Sequence, residues 1–180
     1  DLNNAEWARN YILDLYNNKI ISGYPDGSFK PNNLVAREEF VQMIGNAFDF
    51  QNAAEINFAD VPADSYYYDN LKKALASGII LGIDDKNFGT GENLTRQDLA
   101  VIAYRILTHY GVESDNAAID FTDSGDISDY ATDAVSHLKA AGILNGDASN
   151  RFNPKEGATR AEIAKVVYML KHYITERTNG

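Results

Sequence analysis

The sequence predicts a mainly all-α fold: three helix-loop-helix repeats in a pseudo-threefold arrangement around a central three-helix bundle. Two observations predict it. Three stretches lay out a glycine, six residues to a phenylalanine, eight more to an arginine, then an apolar helix; they carry Gly23, Phe29 and Arg37; Gly82, Phe88 and Arg96; and Gly146, Phe152 and Arg160. The arginines stand 59 and then 64 residues apart, so one unit of about sixty residues recurs. Behind each arginine runs an apolar stripe of helical period: Phe40, Val41, Ile44 and Phe48; Leu99, Ile102, Ala103 and Ile106; Ile163, Val166, Val167 and Leu170. One helix pair cannot cover such a stripe, whereas three pairs can point their stripes at a common axis.

Each unit opens with an amphipathic helix that aligns when counted back from the loop glycine. Trp7, Tyr66 and Tyr130 each lie sixteen residues before it, with Ile12, Leu71 and Val135 five further on. Ile20, Ile79 and Ile143 are expected to close these helices. Gly78 and Gly142 suit a left-handed stop; Lys19 takes that place in the first unit, whose stop is expected to be made differently. The loops between the two helices are expected to hold short extended or hairpin segments. The second and third units have a lead, Phe58-Ala59-Asp60 and Phe121-Thr122-Asp123, which the first lacks, as expected of a chain that begins inside it. The polar linkers run from about Asp49 to Asn57 and from Tyr110 to Asp120.

A chain of 180 residues can bury about 70% of its unfolded surface in one core, so one domain over 1–180 is expected, with units at 1–50, 56–111 and 119–176. With 44% hydrophobic residues, 11 tyrosines and 8 phenylalanines, the composition is that of a folded chain. A net charge of −10 and a pI near 4.6 argue against nucleic acid and anionic membranes as partners. The absence of cysteine excludes a disulfide framework and thiolate metal sites but fixes no compartment. The opening DLNNAEW has neither the basic nor the apolar region of a signal peptide, as in an exported protein that has lost one. The apolar stretch Leu99 to Leu107 includes Tyr104 and Arg105 and is too short for a membrane span; no membrane insertion is expected.

Thr159-x-x-Glu162 is a capping box and Thr95-x-x-Asp98 a shorter version, so each arginine should be the first residue of its helix. There it would stand beside unpaired N–H groups at the positive end of the dipole, and its planar fork suits a carboxylate. Arg37, Arg96 and Arg160 are therefore candidate anion ligands. The residues leave open that they pair instead with an acid of their own loop or of a neighbouring unit. Ala36 has no capping oxygen, so the first unit's helix end is expected to be frayed and Arg37 less fixed. Gly23, Gly82 and Gly146 are expected to supply positive φ, as a fold requirement or to let a ligand approach the backbone. Trp7, Tyr66 and Tyr130 suit stacking on a sugar face, or else core or groove wall. Asp84, Asp85, Asn87 and Glu92 do not match the twelve-residue calcium loop, and His109, His137 and His172 share no metal spacing. No catalytic set recurs with the repeat; no metal, cofactor or enzymatic activity is expected.

These residues are where a family resemblance appears: the units resemble S-layer homology domains, three-in-a-row modules of bacterial surface proteins. Gly23-Tyr24-Pro25-Asp26-Gly27-Ser28-Phe29-Lys30-Pro31 matches the family's loop closely, Thr159-Arg160-Ala161-Glu162 matches its helix start, and the Phe-x-Asp leads match its opening. The resemblance covers essentially the whole chain. It implies an extracellular module at the bacterial cell wall or S-layer, a monomeric part of a larger surface protein. It also implies a non-covalent partner, an anionic secondary polysaccharide attached to peptidoglycan, bound through a pyruvylated N-acetylmannosamine terminus in grooves between units. The family's arginine role would fall to Arg37, Arg96 and Arg160, and Tyr24 would contact sugar. A structural protein–protein module and a glycan-processing enzyme are the alternative readings. The sequence departs from the pattern at Ala36, at Ile83-Asp84-Asp85-Lys86 and at Asp147-Ala148-Ser149-Asn150, so the three grooves cannot be equivalent.

Overall fold

The computed structural model describes residues 1–178. Six α-helices dominate: α1 (Arg9–Asn17), α2 (Arg37–Ala47), α3 (Tyr68–Ala76), α4 (Arg96–His109), α5 (Asp129–Ala140) and α6 (Arg160–Thr178). Short 3-10 segments span Leu2–Ala8 and Ser124–Asp126. Extended structure among the described residues is limited to isolated bridges, so the fold is mainly all-α. The arginines are the first residues of α2, α4 and α6, as the capping pattern predicts.

The apolar stripes behind those arginines are buried, from Phe40, Val41 and Ile44 in α2 to Ile163, Val167 and Leu170 in α6. α6 packs on both α2 and α4, whereas α2 and α4 have no Cα–Cα approach within 8 Å. The first helices pack across unit boundaries: α1 on α6, α3 on α2 and α5 on α4. A unit is therefore not a self-packed hairpin, since each first helix covers the second helix of the unit before it in cyclic order.

The same order closes a ring at the helix starts. Val35 N–H donates to Ala158 O (3.1 Å), Ala158 N–H to Leu94 O (2.8 Å) and Leu94 N–H to Val35 O (2.9 Å). All three residues are buried. Bridges Leu34 to Thr159, Ala36 to Asn93 and Thr95 to Gly157 flank the ring, so the extended segments before the helices pair between units.

The helix stops are alike in all three units. Lys19 (φ 60°), Gly78 (φ 67°) and Gly142 (φ 71°) all adopt the left-handed conformation. Ile20, Ile79 and Ile143 lie just beyond the helices and donate back to Leu15, Ala74 and Leu138 at 2.9 to 3.0 Å, the 6→1 bond of a Schellman motif. The first unit thus makes its stop in the same way with lysine, because burying Ile20 requires the same reversal.

The lead aspartates cap the loops. Asp60 accepts from the N–H groups of Phe88, Gly89 and Thr90, and Asp123 from those of Phe152 and Asn153. Asp1 does the same for Phe29 and Lys30 at 2.9 and 2.7 Å, supplying the first unit's capping carboxylate. For Asp60 and Asp123 burial raises the carboxyl pKa, but these backbone bonds more than offset it and leave each below the usual value.

Candidate functional site

Each arginine clamps the loop of the next unit. Arg160 donates from Nε to Phe29 O and from a terminal nitrogen to Ser22 O, both at 2.9 Å. Arg37 does the same to Phe88 O and Leu81 O, both at 3.0 Å. Arg96 reaches Phe152 O at 2.6 Å and Asn145 O at 3.5 Å. The guanidinium carbons lie 4.5, 5.1 and 5.2 Å from the ring centroids of Phe29, Phe88 and Phe152. The phenylalanine seven residues after the clamped end is thus the floor under its partner's arginine, which accounts for their fixed spacing.

The helix-end N–H groups are largely taken. Arg37, Arg96 and Arg160 donate their own N–H to Glu92, Glu156 and Asn33 carbonyls, each at 2.9 Å. Gln97 and Ala161 donate to Pro154 and Pro31 carbonyls, and Asp98 and Glu162 to the capping hydroxyls of Thr95 and Thr159. At α4 and α6 the expected unpaired donors are consumed by these caps and by the pairing between units. The end of α2 is likewise held without a capping hydroxyl: Ala36 N–H donates to Glu39 Oε2 at 2.9 Å and Arg37 N–H to Glu92 O. Among the described residues the N–H groups of Glu38 and Glu39 have no partner, so the start of α2 carries fewer bonds than those of α4 and α6, in line with the missing cap at Ala36.

The acid two residues after each arginine faces the arginine of the preceding unit. Glu162 is ion-paired with Arg96, and Glu39 lies 3.9 Å from Arg160. Asp98, one methylene shorter, accepts instead from Tyr130 Oη (2.8 Å) and Thr95 Oγ1 (2.7 Å). Among the described residues Arg37 has no carboxylate within 4.0 Å.

Gly23, Gly82 and Gly146 do not have positive φ, which corrects that expectation. Their reason is space: a Cβ on Gly23 would lie 2.9 Å from Ser28 O, on Gly82 2.6 Å from Asn87 O, and on Gly146 3.1 Å from Asn150 Oδ1. The loop turns back on itself where a side chain would stand. Positive φ occurs instead just after the phenylalanines, at Lys30, Gly89 and Asn153.

In each constellation the aromatic comes from the unit that supplies neither the arginine nor the loop. Trp7, Tyr66 and Tyr130 are 57%, 65% and 59% exposed. Of the two readings left open, core is excluded. Tyr66, Tyr24, Gly23 and Arg160 line one groove of about 770 Å³, together with Gln42 and Asn46. Trp7, Gly146, Arg96 and Lys165 line another of about 950 Å³. The remaining set is Arg37, the Gly82 loop and Tyr130, whose phenol feels the Arg37 charge and is tethered by Asp98 and Gln97. Each constellation thus takes an arginine from one unit, a loop from the next and an aromatic from the third. Burial, reinforced by Glu38 and Glu39, pushes the Tyr66 phenol up to about 12, so it stays a neutral donor. Tyr24 sits between cations, 4.9 Å from Arg160 and 4.4 Å from Lys30.

Sequence reasoning missed Lys165. It stands five residues after Arg160, where the other units have Gln42 and Val101, and a single lysine in a non-repeating column gives no periodic signal. With its amide oriented to match donors and acceptors, Asn145 accepts from Lys165 Nζ at 2.9 Å and donates to Leu144 O at 3.1 Å. Burial and the neighbouring Arg96 lower the Lys165 pKa, against the pull of Glu162. Among the described residues no cluster of His, Asp and Glu suited to a metal occurs, and no helix is long and apolar enough to cross a membrane.

Comparison with known proteins gives this geometry its context. The chain is 36% identical over 168 residues to an amylopullulanase of Thermoanaerobacterium thermosulfurigenes, covering 91% of this chain and 9% of that protein. It is 26% identical to the surface-layer 125 kDa protein of Lysinibacillus sphaericus (89% of this chain, 14% of that protein) and 30% identical to an S-layer protein of Bacillus licheniformis (68% and 14%). The chain spans less than a fifth of the length of these relatives. The sequence profile of the S-layer homology domain matches residues 1–41, 57–100 and 120–164, well over half of the chain. Three tandem matches, one for each arginine and its loop, make this chain a member of the S-layer homology domain family, a cell-surface anchoring module.

Proposed function

We propose that this module, without enzymatic activity of its own, holds a larger surface protein to the cell wall by binding an anionic secondary polysaccharide attached to peptidoglycan. The proposed ligand is a pyruvylated N-acetylmannosamine terminus, and the domain is a monomeric assembly of units 1–50, 56–111 and 119–176. The observation that carries the reading is the composite groove, in which a cation, a narrow glycine loop and an exposed aromatic meet from three different units. A pyruvyl ketal offers a fixed carboxylate, an apolar methyl and a sugar face, which match those parts in turn. The closed cycle of contacts supports a pseudo-threefold arrangement that would generate such grooves repeatedly.

Overall charge is no obstacle. Screening acts over about 8 Å at physiological salt, so a groove with a local cation can bind an anion on a chain of net charge −10. The Arg96 groove offers Lys165 as a second cation and Trp7 as wall, beside Glu162, which already pairs with Arg96. The Arg160 groove presents the amides of Gln42 and Asn46 beside Tyr24 and Tyr66, a better match for N-acetyl and hydroxyl groups.

The experiment is co-sedimentation with sacculi that retain their secondary polymer and with sacculi stripped of it by acid. Retention on the first alone is expected. Equal retention on both would point to a protein or peptidoglycan partner, and release of reducing ends from either would restore the enzyme reading.

A further inference from the structure

We propose that Asn145 is a site of spontaneous deamidation built into the Arg96 groove, and that its conversion weakens wall attachment. The second half rests on the function proposed above; the chemistry does not. Asn145 is exposed, is followed by Gly146, and its side-chain oxygen lies 2.9 Å from Lys165 Nζ. Among the described residues the Gly146 N–H has no hydrogen-bond partner, and no Cβ shields it.

In this step the Gly146 nitrogen attacks Asn145 Cγ and forms a C–N bond that closes a succinimide ring. The Cγ–Nδ2 bond breaks, and Nδ2 leaves as ammonia with the proton lost from Gly146. Water then opens the ring at either carbonyl, giving aspartate or isoaspartate. Nothing is oxidised or reduced. The Lys165 ammonium polarises the Cγ carbonyl and stabilises the oxyanion that forms as the glycine nitrogen adds, as a preorganised donor does in an oxyanion hole. Ser22 and Leu81 occupy the equivalent positions in the other loops, so the chemistry is confined to one groove.

The product places a new carboxylate against Lys165, near Arg96. It occupies the charges offered to the ligand and repels the ligand's own carboxylate. The opposing effect is local, within a Debye length of about 8 Å.

The test incubates the whole chain in mildly alkaline buffer and follows it by peptide mapping, since Asn179-Gly180 carries the same dipeptide outside the described residues. Aspartate and isoaspartate should accumulate at position 145, about tenfold more slowly in Lys165→Met. An Asn145 that stays intact after prolonged incubation, or a stable ammonia loss that maps to a crosslink with Lys165, overturns the proposal. Sacculus binding is measured separately on Asn145→Asp and Asn145→Gln. Binding by Asn145→Asp about tenfold weaker than by Asn145→Gln is expected. Equal binding by the two variants overturns the release role, whereas a parent that never binds sacculi overturns the function proposed above and leaves the mapping result standing.

Discussion

A guanidinium that holds two carbonyls of another unit's loop sets the width of that loop, so the arginines are struts as well as cations. Arg160 is 5% exposed, and charged hydrogen bonds contribute about 1.5–3 kcal/mol each. Arg160→Ala is therefore expected to lower stability by about 3 kcal/mol in denaturant melts, with Arg160→Lys recovering only part, because a lysine cannot span Phe29 O and Ser22 O together. An unchanged midpoint for Arg160→Ala would contradict the strut role. Lys19, held at φ 60° where the other units have glycine, makes the opposite prediction: Lys19→Gly should stabilise by about 1 kcal/mol, measured in the same melts. Only part of this was legible in the sequence. The aligned columns of arginine, glycine and phenylalanine are visible because they repeat. Which carbonyl each arginine reaches is not, because the acceptors are backbone groups 44 to 138 residues away, and any residue type provides one.

At the scale of elements, the lead aspartates show how a short segment fixes a loop. Asp60 and Asp123 both titrate below the usual aspartate value through their backbone bonds. Depressed folded values mean that their contribution is complete above the unfolded value of about 3.9 and is lost as pH falls through the lower folded value. Acid melts of the parent should therefore steepen below about pH 4, and Asp60→Asn or Asp123→Asn should be less stable at neutral pH while losing part of that acid slope. Parallel pH profiles for parent and variants would contradict this. The helix starts at Arg37, Arg96 and Arg160 were legible because capping chemistry is local. The reversal after α1 was misjudged for an equally physical reason: the buried Ile20 imposes the left-handed turn, and tertiary burial overrides lysine's reluctance. The loop glycines likewise report a close backbone approach rather than a dihedral sign, two requirements that look identical in a sequence.

At the scale of the molecule, each first helix lies on the second helix of another unit, and the ring of Val35, Leu94 and Ala158 is made by all three. A single unit, residues 58–110, would contain neither packing partner and should lack cooperative melting by circular dichroism; a monomeric, cooperatively melting unit would contradict the cross-unit fold. The repeat made the number and order of units legible, but the assignment of helix partners was not, since both helices of a unit have apolar faces and the pattern does not say which faces meet. The same cross-unit order assembles cation, loop and aromatic into one groove. The most direct measurement is calorimetric titration of the intact module with synthetic pyruvylated N-acetylmannosamine against the same sugar without the ketal, repeated on Lys165→Met after confirming that it melts like the parent. The account predicts that the ketal improves affinity about tenfold or more and that Lys165→Met removes much of this gain; equal affinity for the two sugars would contradict it.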